Sequence, residues 1–194
     1  RLQRLTNNIL DVSRIESQTL NLDKEVFDLN DLLSKIVGDY ENRIPKDDRN
    51  LNNKTRCALH LSYSRSRNNS SELIVEGDRD RINQAVSNLI NNAIEFTSKK
   101  GGTISVTAEK RNVSSKDNQA EAIVNVVDSR EGIHHEIIPR LFTKFASRSN
   151  SGTGLGLYIS KSIVEAHGGR IWAENNSDGI GATFSFSLPI SQNK

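Results

Sequence analysis

With 194 residues, 35% of them hydrophobic and 26% charged, the chain has enough apolar material for one packed core and an appendage, and no bias toward disorder or a disulfide scaffold. A net charge of +2, from 26 basic and 24 acidic residues interspersed along the chain, argues against a nucleic-acid or anionic-membrane surface as the main business. Cys57 stands alone, no apolar run approaches the roughly 18 residues of a membrane span, and no signal peptide opens the sequence, so a cytoplasmic segment without membrane contact is expected, in a parent protein open to membrane anchoring elsewhere.

In chain order, Leu2, Leu5, Ile9 and Val12 recur at helical spacing with Ile15 near the same face, which predicts an amphipathic helix whose stripe needs a partner, either another helix or the core of this domain. A second helix is expected from an Asp28 N-cap, carrying Leu32, Leu33, Ile36, Val37 and Tyr40 on one side until Pro45 approaches. Lys46–Asn53 reads as loop, and Arg56, Arg65 and Arg67 as a solvated strand and loop. Leu59, Leu61 and Tyr63 alternate as a strand, Ser64–Ser71 turns, and Leu73–Val75 is expected to pair next to it. Asp78 is placed to cap a helix over Arg79–Phe96 that buries Ile82, Val86, Leu89, Ile90 and Ala93. Gly101-Gly102 close that helix and start a strand over Thr103–Glu109, Arg111–Gln119 forms a long hairpin loop, and Ala122–Val127 is apolar enough for a central strand. A further helix runs from Tyr158 to Ala166, and Arg170–Glu174 and Thr183–Leu188 form a closing strand pair joined through Asn175–Gly179. The predicted class is α/β: a two-layer sandwich with helices on one face of a mixed sheet.

Several stretches carry chemistry. Gly152-Thr153-Gly154-Leu155-Gly156-Leu157 opens a helix, where glycines let the backbone turn tightly and aim free N–H groups at a polyphosphate. No Lys-Ser/Thr pair follows, so it is not a P-loop, and its G-x-G-x-G spacing is not the dinucleotide fingerprint; a flexible turn would use the same residues. Asn88 and Asn92 sit one helical turn apart, so their carboxamides share a face, although asparagines on a helix are ordinarily just exposed polar positions. Asp128 ends the central strand, where an aspartate is also a common turn starter. Between Gly132 and Gly152 there is no sustained periodicity, only Pro139, Phe142, Phe145 and Arg148 among polar residues.

Taken in order, Asn88–Thr97, Val126–Ile133, Leu141–Phe145 and Gly152–Leu157 resemble the asparagine, aspartate-glycine, phenylalanine and glycine boxes of the catalytic ATP-binding domain of sensor histidine kinases. These belong with DNA gyrase and other type II topoisomerases, Hsp90 and MutL to one superfamily, and the resemblance implies their Bergerat-type sandwich. Arg1–Ser17 looks like the end of the dimerisation helix that precedes this domain, which divides the chain into an incomplete dimerisation region at 1–20 and an ATP-binding domain at 21–194.

The resemblance implies that Asn88 holds Mg²⁺ on the phosphates, that Asn92 contacts the nucleotide and that Phe96 lines the adenine site. It further implies that Asp128 accepts a hydrogen bond from the adenine amino group, with Gly132, Ile133, Phe142 and Phe145 completing the pocket and its lid, at least one phenylalanine packing beneath that lid. Gly152, Thr153, Gly154, Leu155, Gly156 and Leu157 would cradle the phosphates, and Lys144 or Arg148 would reach the γ-phosphate. The implied reaction transfers that phosphate to a histidine on a dimerisation helix outside this sequence, for relay to a response regulator, in a parent that dimerises through the N-terminal helix. His135-Glu136-Ile137-Ile138-Pro139 imitates an acceptor box but lies after the aspartate-glycine box, where the lid begins, and His167 sits at a helix C-terminus where positive charge is favoured. Arg130 stands where the family usually has a glycine and Glu95 where it usually has a lysine, which keeps open a degenerate nucleotide-binding or dimer-assembly module without kinase activity.

Overall fold

The computed structural model describes residues 2–43, 59–65, 72–97, 102–112, 120–129, 132–146 and 153–191. Pro45, the loop at 46–53, Arg56, Cys57, Arg67, Gly101, Arg130, Arg148 and Gly152 lie outside the described residues, as does most of the hairpin loop expected at 111–119.

The helices are α1 (Leu2–Glu16), α2 (Leu29–Glu41), α3 (Arg79–Thr97) and α4 (Gly156–Ala166), and the strands are β1 (Glu25–Asp28), β2 (Leu59–Arg65), β3 (Ile74–Gly77), β4 (Gly102–Asn112), β5 (Ala120–Asp128), β6 (Ile171–Asn175) and β7 (Ala182–Pro189). A five-stranded sheet has the order β2-β4-β5-β7-β6, with β2 parallel to β4 and the remaining neighbours antiparallel, so it is mixed as expected. β5 lies at its centre, which is why its sequence reads as a nearly continuous apolar run with Ala122, Ile123, Val124 and Val126 all buried. On β4 the alternation is clean: Ile104, Val106 and Ala108 point into the core while Thr103, Ser105 and Thr107 face away.

The helical layer forms by the same logic at a different period. α3 buries Ile82, Ala85, Val86, Leu89, Ile90 and Ala93, and Asp78 caps it by accepting from the Arg81 N–H at 3.0 Å. Asp28 caps α2, its Oδ1 accepting from the Asn30 N–H at 2.9 Å and also from the Leu73 N–H at 3.3 Å. Asn30, itself buried, takes the Tyr63 hydroxyl on its Oδ1 at 2.8 Å, so this polar group costs little inside the core.

One pairing expectation fails. The strand at Leu73–Val75 does not lie beside Leu59–Tyr63; β3 pairs antiparallel with β1 in a separate two-stranded sheet, from Glu25↔Gly77 to Asp28↔Ile74. β1 was not expected at all, because its four residues Glu-Val-Phe-Asp show no alternation and Val26 stays 62% exposed. The partner of β2 is instead β4, reached by the crossover through α3.

The environment of His167 also differs from expectation. It is buried, its Nε2 accepts the Asp78 N–H at 2.9 Å, and its Nδ1 therefore donates to the Ile163 carbonyl at 2.7 Å, an arrangement that fits the neutral ring. Burial pushes its pKa below 6.5 and the nearby Lys24 charge acts in the same sense, against the Ile163 hydrogen bond and Asp78, which raise it. The unfolded chain then binds a proton that the folded chain resists, so this contribution to stability is complete above pH 6.5 and is lost as pH falls from there through the depressed folded pKa. Urea unfolding from pH 7.5 to 5.5 should show that loss in the parent and less of it in His167→Gln; equal slopes for the two proteins would exclude it.

Candidate functional site

α3 and the loop entering α4 meet at Asn88. With the buried stripe of α3 turned to the core, Asn88 and Asn92 fall on its half-exposed flank, and Asn88 Nδ2 donates to the Gly156 carbonyl at 3.2 Å and to Ser160 Oγ at 3.4 Å. The donor end of the amide is thereby used inward, which leaves Oδ1 as the end that can ligate a cation. α4 starts without a side-chain cap and with no acidic residue in its first turn, so its opening N–H groups and the positive end of its dipole favour an anion. An amide oxygen able to ligate a hard cation and a helix start able to receive an anion are thus adjacent.

The glycine loop is shaped by its neighbours. Gly154 has φ +65°, and a Cβ there would lie 2.7 Å from Cα and the carbonyl carbon of Phe145, so both the backbone angle and the packing require glycine. Leu155 is buried and anchors the loop, Gly156 and Leu157 are half-buried, and Thr153 Oγ1 accepts from the Leu155 N–H and from Asn8 Nδ2, each at 3.4 Å.

The other residues singled out by the resemblance lie at the end of β5, near the end of α3 and in the segment 132–146. Asp128 is buried as the last residue of β5, and Ile133 packs against the core beyond the connection that follows. Phe96 is 51% exposed near the end of α3. Phe142 packs against the core whereas Phe145, at φ +60°, is 73% exposed, so one of the two phenylalanines packs and the other is displayed. His135 is exposed in the same segment with its ring stacked on His134, and no helix carries it.

Lys144 does not point at the glycine loop in this conformation. Its Nζ is bound to Glu16 on α1 and lies 5.3 Å from the centre of the Tyr158 ring. The hydrogen bond to Glu16 raises the lysine pKa above 10.5, outweighing the opposing effect of desolvation. Glu16 is one of several polar residues that seat α1 and that a count of apolar positions misses. Asp11 takes Arg81 Nη1 at 2.8 Å and Gln84 Nε2 at 2.6 Å, and Asn8 reaches Thr153. Among the residues of α1 whose burial is described, Asn8 and Asp11 are the buried ones, while Leu5, Ile9 and Leu10 of the predicted stripe and its flank remain exposed. The signal was present as two polar residues one turn apart beside the stripe.

Among the described residues there is no cluster of three or more His, Cys, Asp or Glu able to hold a metal by themselves. The Asn88 amide oxygen suits Mg²⁺ only together with phosphate and water oxygens, the ligand set that ion prefers. No described helix is long and apolar enough to cross a membrane.

Residues 77–192 match the family described as histidine kinase-, DNA gyrase B- and HSP90-like ATPase. Sensor protein SrrB of Staphylococcus aureus is 34% identical over 97% of this chain, which spans 30% of that protein's length. The nucleotide-free catalytic domain of histidine kinase ThkA superposes with a TM-score of 0.68 at 31% identity, over 87% of this chain and 96% of that one. Histidine kinase ThkA in complex with response regulator protein TrrA gives a TM-score of 0.69 at 28% identity, over 98% of this chain and 49% of that one. The fold and the sequence match agree, and this chain belongs to the histidine kinase-, DNA gyrase B- and HSP90-like ATPases.

Proposed function

We propose that the chain is the ATP-binding, phosphoryl-donating part of a sensor histidine kinase, with residues 1–20 the end of a dimerisation region and 21–194 the catalytic domain. The observation that carries this reading is the bond from Asn88 Nδ2 to the Gly156 carbonyl, which sets a cation-ligating oxygen beside an uncapped helix start. Asn88 would hold Mg²⁺, which when bound neutralises phosphate charge. Residues 153–157, with Gly152, would receive the phosphates and Asn92 would contact the nucleotide, while Asp128, Phe96, Gly132, Ile133, Phe142 and Phe145 would form the adenine side. Lys144 and Arg148 would act on the γ-phosphate, Lys144 after leaving Glu16. Catalysis on this reading is positioning and charge stabilisation of the transferring group, with little covalent work for the protein. The exposed Leu5, Ile9 and Leu10 on α1 support dimerisation of the parent through that helix, and the ThkA–TrrA complex supports a response regulator as the onward partner.

Incubated with labelled ATP and a separate dimerisation domain carrying an acceptor histidine, the chain should place acid-labile label on the supplied domain and none on His135. Glu95 and Arg130 favour the second reading, a nucleotide-binding module without transfer. Tight Mg-ATP binding with no label on the acceptor would establish that one.

A further inference from the structure

Asn175 ends β6 and Asn176 opens the turn to β7, and each side chain reaches a distant segment, Asn176 in addition to its bond within the turn. The turn is closed by the Asn176 N–H on the Gly181 carbonyl at 3.1 Å, the Gly179 N–H on the Asn176 carbonyl at 2.9 Å, and the Ile180 N–H on Asp178 Oδ1 at 2.9 Å. Asn175 instead reaches 42 residues back along the chain, its Oδ1 accepting the Ile133 N–H at 2.5 Å and its Nδ2 donating to the Ile133 carbonyl at 2.9 Å. One side chain thus satisfies both backbone groups of one residue, as a neighbouring strand would. Asn176 Nδ2 donates to the Asp128 carbonyl at 3.0 Å, 48 residues away, as well as to Ile180, and its Oδ1 is held in turn by Thr183 Oγ1 at 2.7 Å.

The two asparagines therefore grip both ends of the connection that leaves the central strand, Asp128 on one side and Ile133 on the other. Gly132 fits the same grip: a Cβ there would lie 2.6 Å from Asn175 Oδ1 and 3.3 Å from the Gly181 carbonyl, so a side chain at this position would displace the Asn175 amide. Holding the Asp128 carbonyl restrains the backbone from which its buried side chain projects.

We propose that Asn175 and Asn176 are positioning residues that set adenine selectivity, acting through Asp128 and Ile133 without touching the nucleotide themselves. This rests on the reading of Asp128 as the acceptor for the adenine amino group. Guanine presents an acceptor carbonyl at the place where adenine presents that amino donor, so the aim of Asp128 decides between the two bases. The phosphate side, built on Asn88 of α3 and the start of α4, rests on different elements from this turn.

The test measures the affinity of the whole chain for ATP, GTP and inorganic tripolyphosphate, with Mg²⁺ present, for the parent, Asn175→Ala, Asn176→Ala and Asp128→Asn. Each asparagine variant should weaken ATP binding about 3- to 10-fold, the scale of one or two ordinary hydrogen bonds, and lower the ATP/GTP preference while leaving tripolyphosphate affinity unchanged. Parallel losses for ATP and tripolyphosphate, or unchanged ATP binding in a folded variant, would overturn the proposal while Asp128→Asn still lowered the preference. If Asp128→Asn left the preference untouched, the reading of Asp128 would fall first and this inference with it. Should the variants not fold, hydrogen exchange at the Ile133 amide of the parent decides: the grip requires protection, and a freely exchanging amide would exclude it.

Discussion

Asn88→Ala is expected to abolish the strengthening of ATP binding by Mg²⁺, a loss of about 5- to 150-fold in affinity, from about 1 to 3 kcal/mol for a group bound to charge. Alanine removes two things at once, the oxygen offered to the cation and the bond from Nδ2 to the Gly156 carbonyl that joins α3 to the glycine loop. Calorimetry with ATP in Mg²⁺ and in EDTA separates them. A loss confined to the Mg²⁺ titration assigns Asn88 as the metal ligand, whereas an equal loss in both would make it a support for the loop and remove the metal assignment. Asp128→Asn should behave oppositely, weakening ATP with or without metal, if its carboxylate serves the adenine side as proposed.

The largest effect on stability is expected at Phe186→Ala. Phe186 is fully buried in β7, in register with Val124 on β5 and Ile171 on β6, so it stands in the middle of the face that the helices cover. Truncating a buried phenylalanine costs about 3 to 5 kcal/mol, partly as lost transfer energy and partly as the cavity left behind. For a chain of this size that lowers the melting temperature by roughly 6 to 20 °C, and it is a large part of the 5 to 15 kcal/mol typical of a domain. A shift of less than about 2 °C would mean that β7 does not hold this central position.

Both predictions use residues whose surroundings were unequally legible in the sequence. The faces of α3 and β4 could be read because burial repeats there with the period of the element itself, and the cap at Asp78 because it acts on an N–H three residues away. β5 announced its central place by being apolar on both faces. The glycine loop, the asparagine pair and Asp128 could likewise be picked out, since each is a short run of distinctive residue types in a particular order.

Partnership between distant segments was not legible. β1 and β3 pair over four residues each, too few for a period to show, and so β3 was assigned to the wrong neighbour. Lys144 has the same charge whether it faces phosphate or Glu16, and only the docking of α1 through Asp11, Asn8 and Glu16 settles where it sits in this structure. His167 shows the conflict most directly. Its place at a helix end favours a proton, but burial against Asp78 N–H selects the neutral ring, because desolvation of a charge outweighs a helix-end dipole. The sequence by itself thus determined most of the elements, the buried faces of α2, α3 and β4, and the family signature, all of which depend on residues within a few positions of one another. The tertiary structure decided which strands pair, which charges meet and which asparagines hold the chain, because those bonds span 42, 48 or 128 residues and no local pattern encodes their far end.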